Sequence, residues 1–408
     1  MGKMVFKKYR QQKLLAKTII VVSLLISVMG CNGSDSPNFN PEDSQGLNSE
    51  AKDDLVAAGM TKYVGKFSPA LSADADMGWV KHTYDSEEGE GPICIDGTDY
   101  SIFTKVKNPD KLLITLQGGG ACWQDFYYCK VNTVNDTAPE ANGIFADSYD
   151  TGENIQINPL ADWSVVELGY CDGSAFTGDN ELFDSGFPGG KRYHRGLRNL
   201  TAGIDLAKTL FPDASRVMVA GVSAGGYGAA AYAPLLTRMA YGNSTELTVI
   251  NDSGPTASNL NNTEAIEAWA YDWQYGQFFP SSCEGCDVRS QGFIELIKWR
   301  LENDTTIREA FVSTDGDSVV RFFLSVPTQW DYRTLILEAH GSINDAYPDR
   351  YKRFIQSGNT EHTALSSDSF YTRTVLDVPL YVWMTDFLES KSTWEDLVDE
   401  YVEASQAP

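Results

Sequence analysis

The chain has 408 residues, 42% of them hydrophobic and 12% aromatic. That is enough for one large domain or two ordinary ones, and too apolar for wholesale disorder. Its net charge of -24 repels phosphate backbones, which excludes nucleic acid as a partner and disfavours polyanionic substrates at long range.

Residues 1–31 read as a leader. Lys3, Lys7, Lys8, Arg10, Lys13 and Lys17 form a basic start without acids, and residues 19–28 form an apolar run too short for an ordinary membrane-spanning helix. The run ends in Val28-Met29-Gly30-Cys31. A cysteine directly after a small residue resembles a bacterial lipobox. That resemblance implies an exported protein lipidated at Cys31 and held to an envelope membrane, the outer membrane given Asn32 in the next position. Removing the leader makes the remainder more acidic still. Residues 32–74 are expected to be a flexible tether, since the part up to about residue 54 is rich in Asn, Ser, Asp, Gly and Pro and lacks periodicity. The catalytic domain is expected over 75–408.

Residues 112–117 (LLITLQ) read as a strand, followed by Gly118-Gly119-Gly120; residues 164–170 read as another. Leu197, Leu200, Ile204, Ala207 and Leu210 fall at helical spacing, which predicts an amphipathic helix over 196–210. A strand at 217–222, an Ala-rich helix at 229–239 and strands at 247–251, 322–326 and 354–356 follow. Residues 259–300 are helical and aromatic-rich, a cap over the sheet edge, and 392–404 look like a closing helix. Short apolar strands alternating with helices predict an α/β fold: a mainly parallel central sheet, helices on both faces and a helical insert.

With Cys31 lipidated, six cysteines remain, an even number that suggests disulfides in an exported protein. Cys283-Glu284-Gly285-Cys286 has neither a second Cys-x-x-Cys nor a nearby histidine, so it reads as a local staple rather than a metal site. Six cysteines admit many pairings; we expect Cys94–Cys171, Cys122–Cys129 and Cys283–Cys286. No metal and no cofactor is called for.

In such sheets ligands bind beyond the carboxyl ends of the strands. Gly221-Val222-Ser223-Ala224-Gly225 fits the G-x-S-x-G elbow, where a sharp strand-to-helix turn thrusts a serine outward and leaves room only for small neighbours. Ala224 would give one oxyanion amide, Gly119 and Gly120 the others. The glycine run lacks the Lys-Ser/Thr of a phosphate loop. Of four histidines, His340 and His362 follow the serine. His340 sits in a helix pattern where a surface or capping role is expected; His362 sits in a polar loop after a late strand and is the expected base. The acid should follow another strand and precede the histidine, which selects Asp331. Asp252 comes one strand too early and Asp386 comes after the histidine.

These blocks together resemble the pectin acetylesterase and Notum family of serine carboxylesterases, over most of residues 90–365. CIDGT at 94–98, LQGGGACW at 116–123, GYCDGSAFTGD at 169–179, GVSAGGYG at 221–228 and DSG at 252–254 carry the resemblance. It implies an α/β-hydrolase-like fold and a Ser-Asp-His triad, here Ser223, Asp331 and His362, with Gly119, Gly120 and Ala224 as oxyanion site. The family histidine sits among cysteines, and His362 does not.

Hydrolysis of an acyl ester, by family analogy an acetyl ester on a polysaccharide, is the leading function. The substrate is an acylated carbohydrate or a small ester. The acidic chain argues against a polyuronate unless the cleft is locally basic, for which Lys191, Arg192 and Arg195 are the candidates. The alternative is a non-catalytic surface lipoprotein binding glycan or protein through the same fold, and peptidase activity of the same triad is a third.

Overall fold

In the computed structural model, which describes residues 46–86, 89–133 and 137–404, ten strands hydrogen-bond into one sheet among the described residues. The leader, Cys31 and the tether up to residue 45 lie outside the described residues. The strands are β1 (Leu71–Asp74), β2 (Val80–Tyr84), β3 (Tyr100–Lys105), β4 (Asn108–Leu116), β5 (Trp163–Leu168), β6 (Arg216–Val222), β7 (Glu246–Asp252), β8 (Arg308–Thr314), β9 (Tyr351–Gln356) and β10 (Leu397–Val398). Their spatial order is β1-β2-β3-β5-β4-β6-β7-β8-β9-β10. From β5 to β10 every pairing is parallel; β1, β2, β3 and β5 pair antiparallel.

The parallel strands are apolar on both faces because helices cover both. Val217 and Val219 of β6 enter one core and Met218 and Ala220 the other. The larger core takes Leu197, Leu200 and Ile204 from α2 (Gly196–Leu210). It also receives α4 (Ala233–Tyr241), α5 (Thr263–Trp273), α6 (Gly292–Asn303) and α8 (Gln329–Ala346). The smaller takes α9 (Ser369–Thr372) and α10 (Leu380–Leu388). Helix α3 (Ala224–Ala230) leaves β6 directly, and α7 (Ser318–Leu324) follows β8. Residues 259–300 are helical as expected, forming α5, a 3-10 turn at Tyr275–Phe278 and α6.

Three expectations change. The tether does not extend to residue 74: α1 (Ser49–Ala57) is capped by Asn48, whose side chain accepts from Ala51 N at 2.8 Å, and Leu47, Leu55 and Met60 are buried. The polar composition hid these three anchors. Residues 322–326 are not a strand. Asp317 caps the two amides of Val319 and Val320 and starts α7, so the cap overrides the strand propensity of Phe322 and Phe323. The strand of this region is β8. The tail 392–404 is not a helix; Asp396 binds Arg353 of β9 (2.7 Å) and β10 pairs with β9.

The three disulfides pair Cys94 with Cys171, Cys122 with Cys129 and Cys283 with Cys286. The first spans 77 residues, and by loop entropy contributes about 4 kcal/mol. A Cys94→Ser/Cys171→Ser variant is expected to lose about that much in denaturant unfolding, while Cys283→Ser/Cys286→Ser loses far less.

Candidate active site

Ser223 stands between β6 and α3 at φ 57°, ψ -121°. A non-glycine residue is held there only when its surroundings over-determine it. Here they do. Ser223 N donates to Asp252 O at 2.8 Å and Tyr227 N to Ser223 O at 3.0 Å. A Cβ on Gly221 would overlap the carbonyl oxygen of Gly225, and one on Gly225 would overlap that of Leu116. The glycines are therefore required by contact between β4, β6 and α3.

The Gly118–Gly120 loop follows β4 and enters the hairpin Gly120–Trp123/Phe126–Cys129. A Cβ on Gly118 would lie 3.0 Å from Cβ of Ser223, so loop and elbow touch. Lys130 N donates to Gly119 O (2.8 Å), which makes Gly120 and Cys129 a pair without mutual hydrogen bonds and leaves Gly120 N–H unused by the ladder. Tyr170 Oη donates to Gly120 O (2.7 Å) and accepts from Ala175 N (3.1 Å). The GYCDGSAFTGD block thus pins the glycine loop. Asp172, buried, braces the block by accepting from Ser174 N at 2.7 Å, and burial raises its carboxyl to about 6.

His362 lies in the loop after β9. Its Nδ1 is 2.7 Å from Oδ2 of Asp317, a fully buried carboxylate in the turn after β8. His362 Nε2 is buried and makes no hydrogen bond to the described residues. The loop is fastened to the strand beside the serine: Ala364 N and Leu365 N donate to Asp252 Oδ2 at 2.7 and 2.8 Å. Thr314 Oγ1 donates to Glu361 O (2.7 Å).

Asp331 is not brought to this histidine. It sits in the exposed first turn of α8, where its carboxylate accepts from Thr328 Oγ1 at 2.6 Å. The carboxylate that does meet His362 also follows a strand, but the strand is β8 and the residue Asp317. The signal was Thr314-Asp315-Gly316-Asp317-Ser318, a turn after an apolar run. Its neighbour Asp315 is engaged elsewhere, with Arg333 at 2.7 Å. Asp386 belongs to α10, away from the pair.

The other histidines are structural. His340 is on α8 but fully buried, not at the surface; it stacks on Phe311 and its Nδ1 meets Tyr351 Oη at 2.6 Å. His194 meets Arg192 and the carbonyl of Asp172. Burial pushes both imidazoles down to about 3, so they are neutral at pH 7. The three candidates for a locally basic cleft are all paired with carboxylates. Arg192 is buried against Asp184 and Asp272, and Lys191 and Arg195 both pair with Glu181.

An apolar pocket of about 60 Å³ opens at Ser223, Ala224 and Gly120, walled by Trp123, Trp269 and Trp273 of the hairpin and α5 and by Val320, Phe323 and Leu324 of α7. Trp123 and Trp269 meet edge to face at 5.4 Å, and Trp273 Nε1 donates to Cys122 O at 2.7 Å. Helix α7 therefore carries both the partner of His362, at its cap, and one pocket wall.

A serine at a strained strand-to-helix elbow on a mainly parallel sheet, beside a glycine loop and a histidine–aspartate pair, defines the α/β-hydrolase-like class. Within it, the chain belongs to the pectinacetylesterase family, whose sequence model matches residues 73–279, half of its length. It is similar to pectin acetylesterase 11 of Arabidopsis thaliana, 32% identical over 152 residues, covering 35% of this chain and 37% of that protein. Pectin acetylesterase 7 of the same plant is 31% identical over 160 residues, 36% and 39% of the two chains. The matched part is thus little more than a third of these relatives. Among solved structures, the Wnt deacylase Notum from Drosophila superposes with a TM-score of 0.57 at 15% identity, over 81% of this chain and 96% of that one; that likeness is one of fold.

Proposed function

We propose that this protein is a serine carboxylesterase that removes short acyl groups, acetyl above all, from an acylated carbohydrate. The observation that carries this reading is the Asp317–His362 pair, delivered by a loop that hangs from Asp252, the same residue that accepts the Ser223 amide. Ser223 Oγ attacks the ester carbonyl. His362 Nε2 takes its proton and returns it to the departing alkoxide; Asp317 fixes the imidazole tautomer and stabilises the imidazolium. The amides of Ala224 and Gly120, with Gly119, receive the oxyanion. Water then cleaves the acyl-enzyme by the same steps in reverse. Family membership and the plant relatives named for pectin acetyl esters support the reaction class.

The pocket beside Ser223, apolar and only about 60 Å³, supports a short acyl group. On p-nitrophenyl esters, kcat/KM is expected to be highest for acetate and to fall about tenfold or more by octanoate, the cost of overfilling a packed site. A fluorophosphonate probe should label the wild type and not Ser223→Ala. An unlabelled wild type, or a preference for octanoate, rejects the reading. The basic leader and the three disulfides support export, with Cys31 as the lipid attachment point to the outer membrane.

A further inference from the structure

The elbow has a second cavity on its other side. About 220 Å³ lies at the carboxyl ends of β4, β5 and β6 on the face of the smaller core. At ~30 Å³ per water in the liquid, that is space for about seven waters, the scale of a single sugar ring. Gly221 and Val222 form its wall toward Ser223, and Leu365 and Ser366, just past His362, close it opposite. The acyl pocket is lined almost wholly by apolar groups, whereas this cavity presents Thr115, Gln117 and Glu167, with Glu140 and Asn142 exposed at its rim. Among the described residues no lysine or arginine lines either.

Glu167 is the unusual member. It is 6% exposed in the middle of the sheet, and among the described residues its one hydrogen bond comes from Thr115 Oγ1. Lys130, the nearby cation, donates to Gln117 Oε1 at 3.1 Å, and its charge partly offsets the effect of burial on the Glu167 carboxyl. Gln117 Oε1 also accepts from Tyr170 N (3.2 Å), so its NH2 group is what it has to offer a ligand. An ester substrate has an apolar acyl half and a polar alcohol half. The elbow stands between an apolar pocket and a polar one.

Resting on the esterase reading for its catalytic meaning, we propose that this cavity binds an uncharged sugar ring of the alcohol half, so that the substrate is an acylated neutral glycan rather than a polyuronate. Hydroxyl pairs of a neutral ring satisfy the Glu167 carboxyl and the Gln117 amide together. A uronate carboxylate entering the cavity would meet the exposed carboxylate of Glu140 at its rim, with no lysine or arginine among the described lining residues to pair with it. Burial raises the Glu167 carboxyl to about 8, so at pH 7 it is largely protonated and both donates and accepts, as adjacent hydroxyls require.

The test uses full-length Ser223→Ala protein, which cannot turn over, titrated calorimetrically with neutral gluco-, xylo- and manno-oligosaccharides and with oligogalacturonate. At least one neutral series is expected to bind, about tenfold or more tighter than oligogalacturonate. Glu167→Leu in that background is expected to weaken it about tenfold, the loss of one hydrogen bond to a buried group. Should Glu167→Leu fail to fold, Glu140→Ala/Asn142→Ala at the exposed rim is expected to weaken binding several-fold. Absence of binding by every neutral series, tighter binding of oligogalacturonate, or binding indifferent to these variants overturns the proposal. Fluorophosphonate labelling of the wild type is scored separately. A labelled enzyme that ignores neutral sugars sinks the cavity assignment alone, and an unlabelled protein that binds them sinks the esterase reading alone.

Discussion

Asp317→Asn is expected to lower kcat on p-nitrophenyl acetate about ten-thousandfold, the loss seen when a triad acid is made neutral and the histidine takes the wrong tautomer. Asp331→Asn is expected to leave it within about twofold, as for an exposed group with only local bonds. The pair of variants separates the two aspartates cleanly because neither should disturb the fold. Asparagine caps helices about as well as aspartate, so the amides of Val319 and Val320 keep their acceptor in Asp317→Asn. Equal melting temperatures with unequal turnover would assign the acid. Equal turnover would mean that the 2.7 Å contact to His362 Nδ1 has no catalytic weight.

The largest effect on stability is expected at Gly225. An alanine methyl there would overlap the carbonyl oxygen of Leu116, at the end of β4, with the carbonyl of Gln117 only 2.8 Å away. Neither backbone group can yield without moving the central strand or the glycine loop after it. Overpacking of this kind costs about 1–3 kcal/mol when side chains can shift, and more where backbone must. Gly225→Ala is therefore expected to give little soluble protein, or a lowered melting temperature with fluorophosphonate labelling abolished. Ser223→Ala, which adds no atoms, should melt with the wild type. A Gly225→Ala protein that folds and labels normally would show that the elbow has slack.

What the sequence reveals follows from how local each cause is. The elbow was legible because its sterics are written in five consecutive residues. Helix α2 was legible to the residue because Leu197, Leu200 and Ile204 share one buried face. His362 could be reached by chain order among four histidines. Asp317 was missed because two local signals conflict after β8. The run Phe-Phe-Leu-Ser-Val at 322–326 reads as strand by pattern, and only the Asp317 cap upstream reveals a helix. Placing a strand there pointed to Asp331 after it instead of the aspartate before it. Helix α1 was missed for a related reason: its anchors Leu47, Leu55 and Met60 are sparse in a polar stretch, and what buries them is chain far away in sequence. The fates of Lys191, Arg192 and Arg195 were equally out of reach, since their partners Glu181, Asp184 and Asp272 are set by folding.

Asp252 adds a last point. Its main-chain oxygen receives the Ser223 amide, and its side chain receives the amides of Ala364 and Leu365. Ser223 and the loop that carries His362 are thus fastened to one buried residue at the end of a central strand. Under the proposed mechanism, a shift of that strand end would carry the serine and the histidine loop together rather than pull them apart.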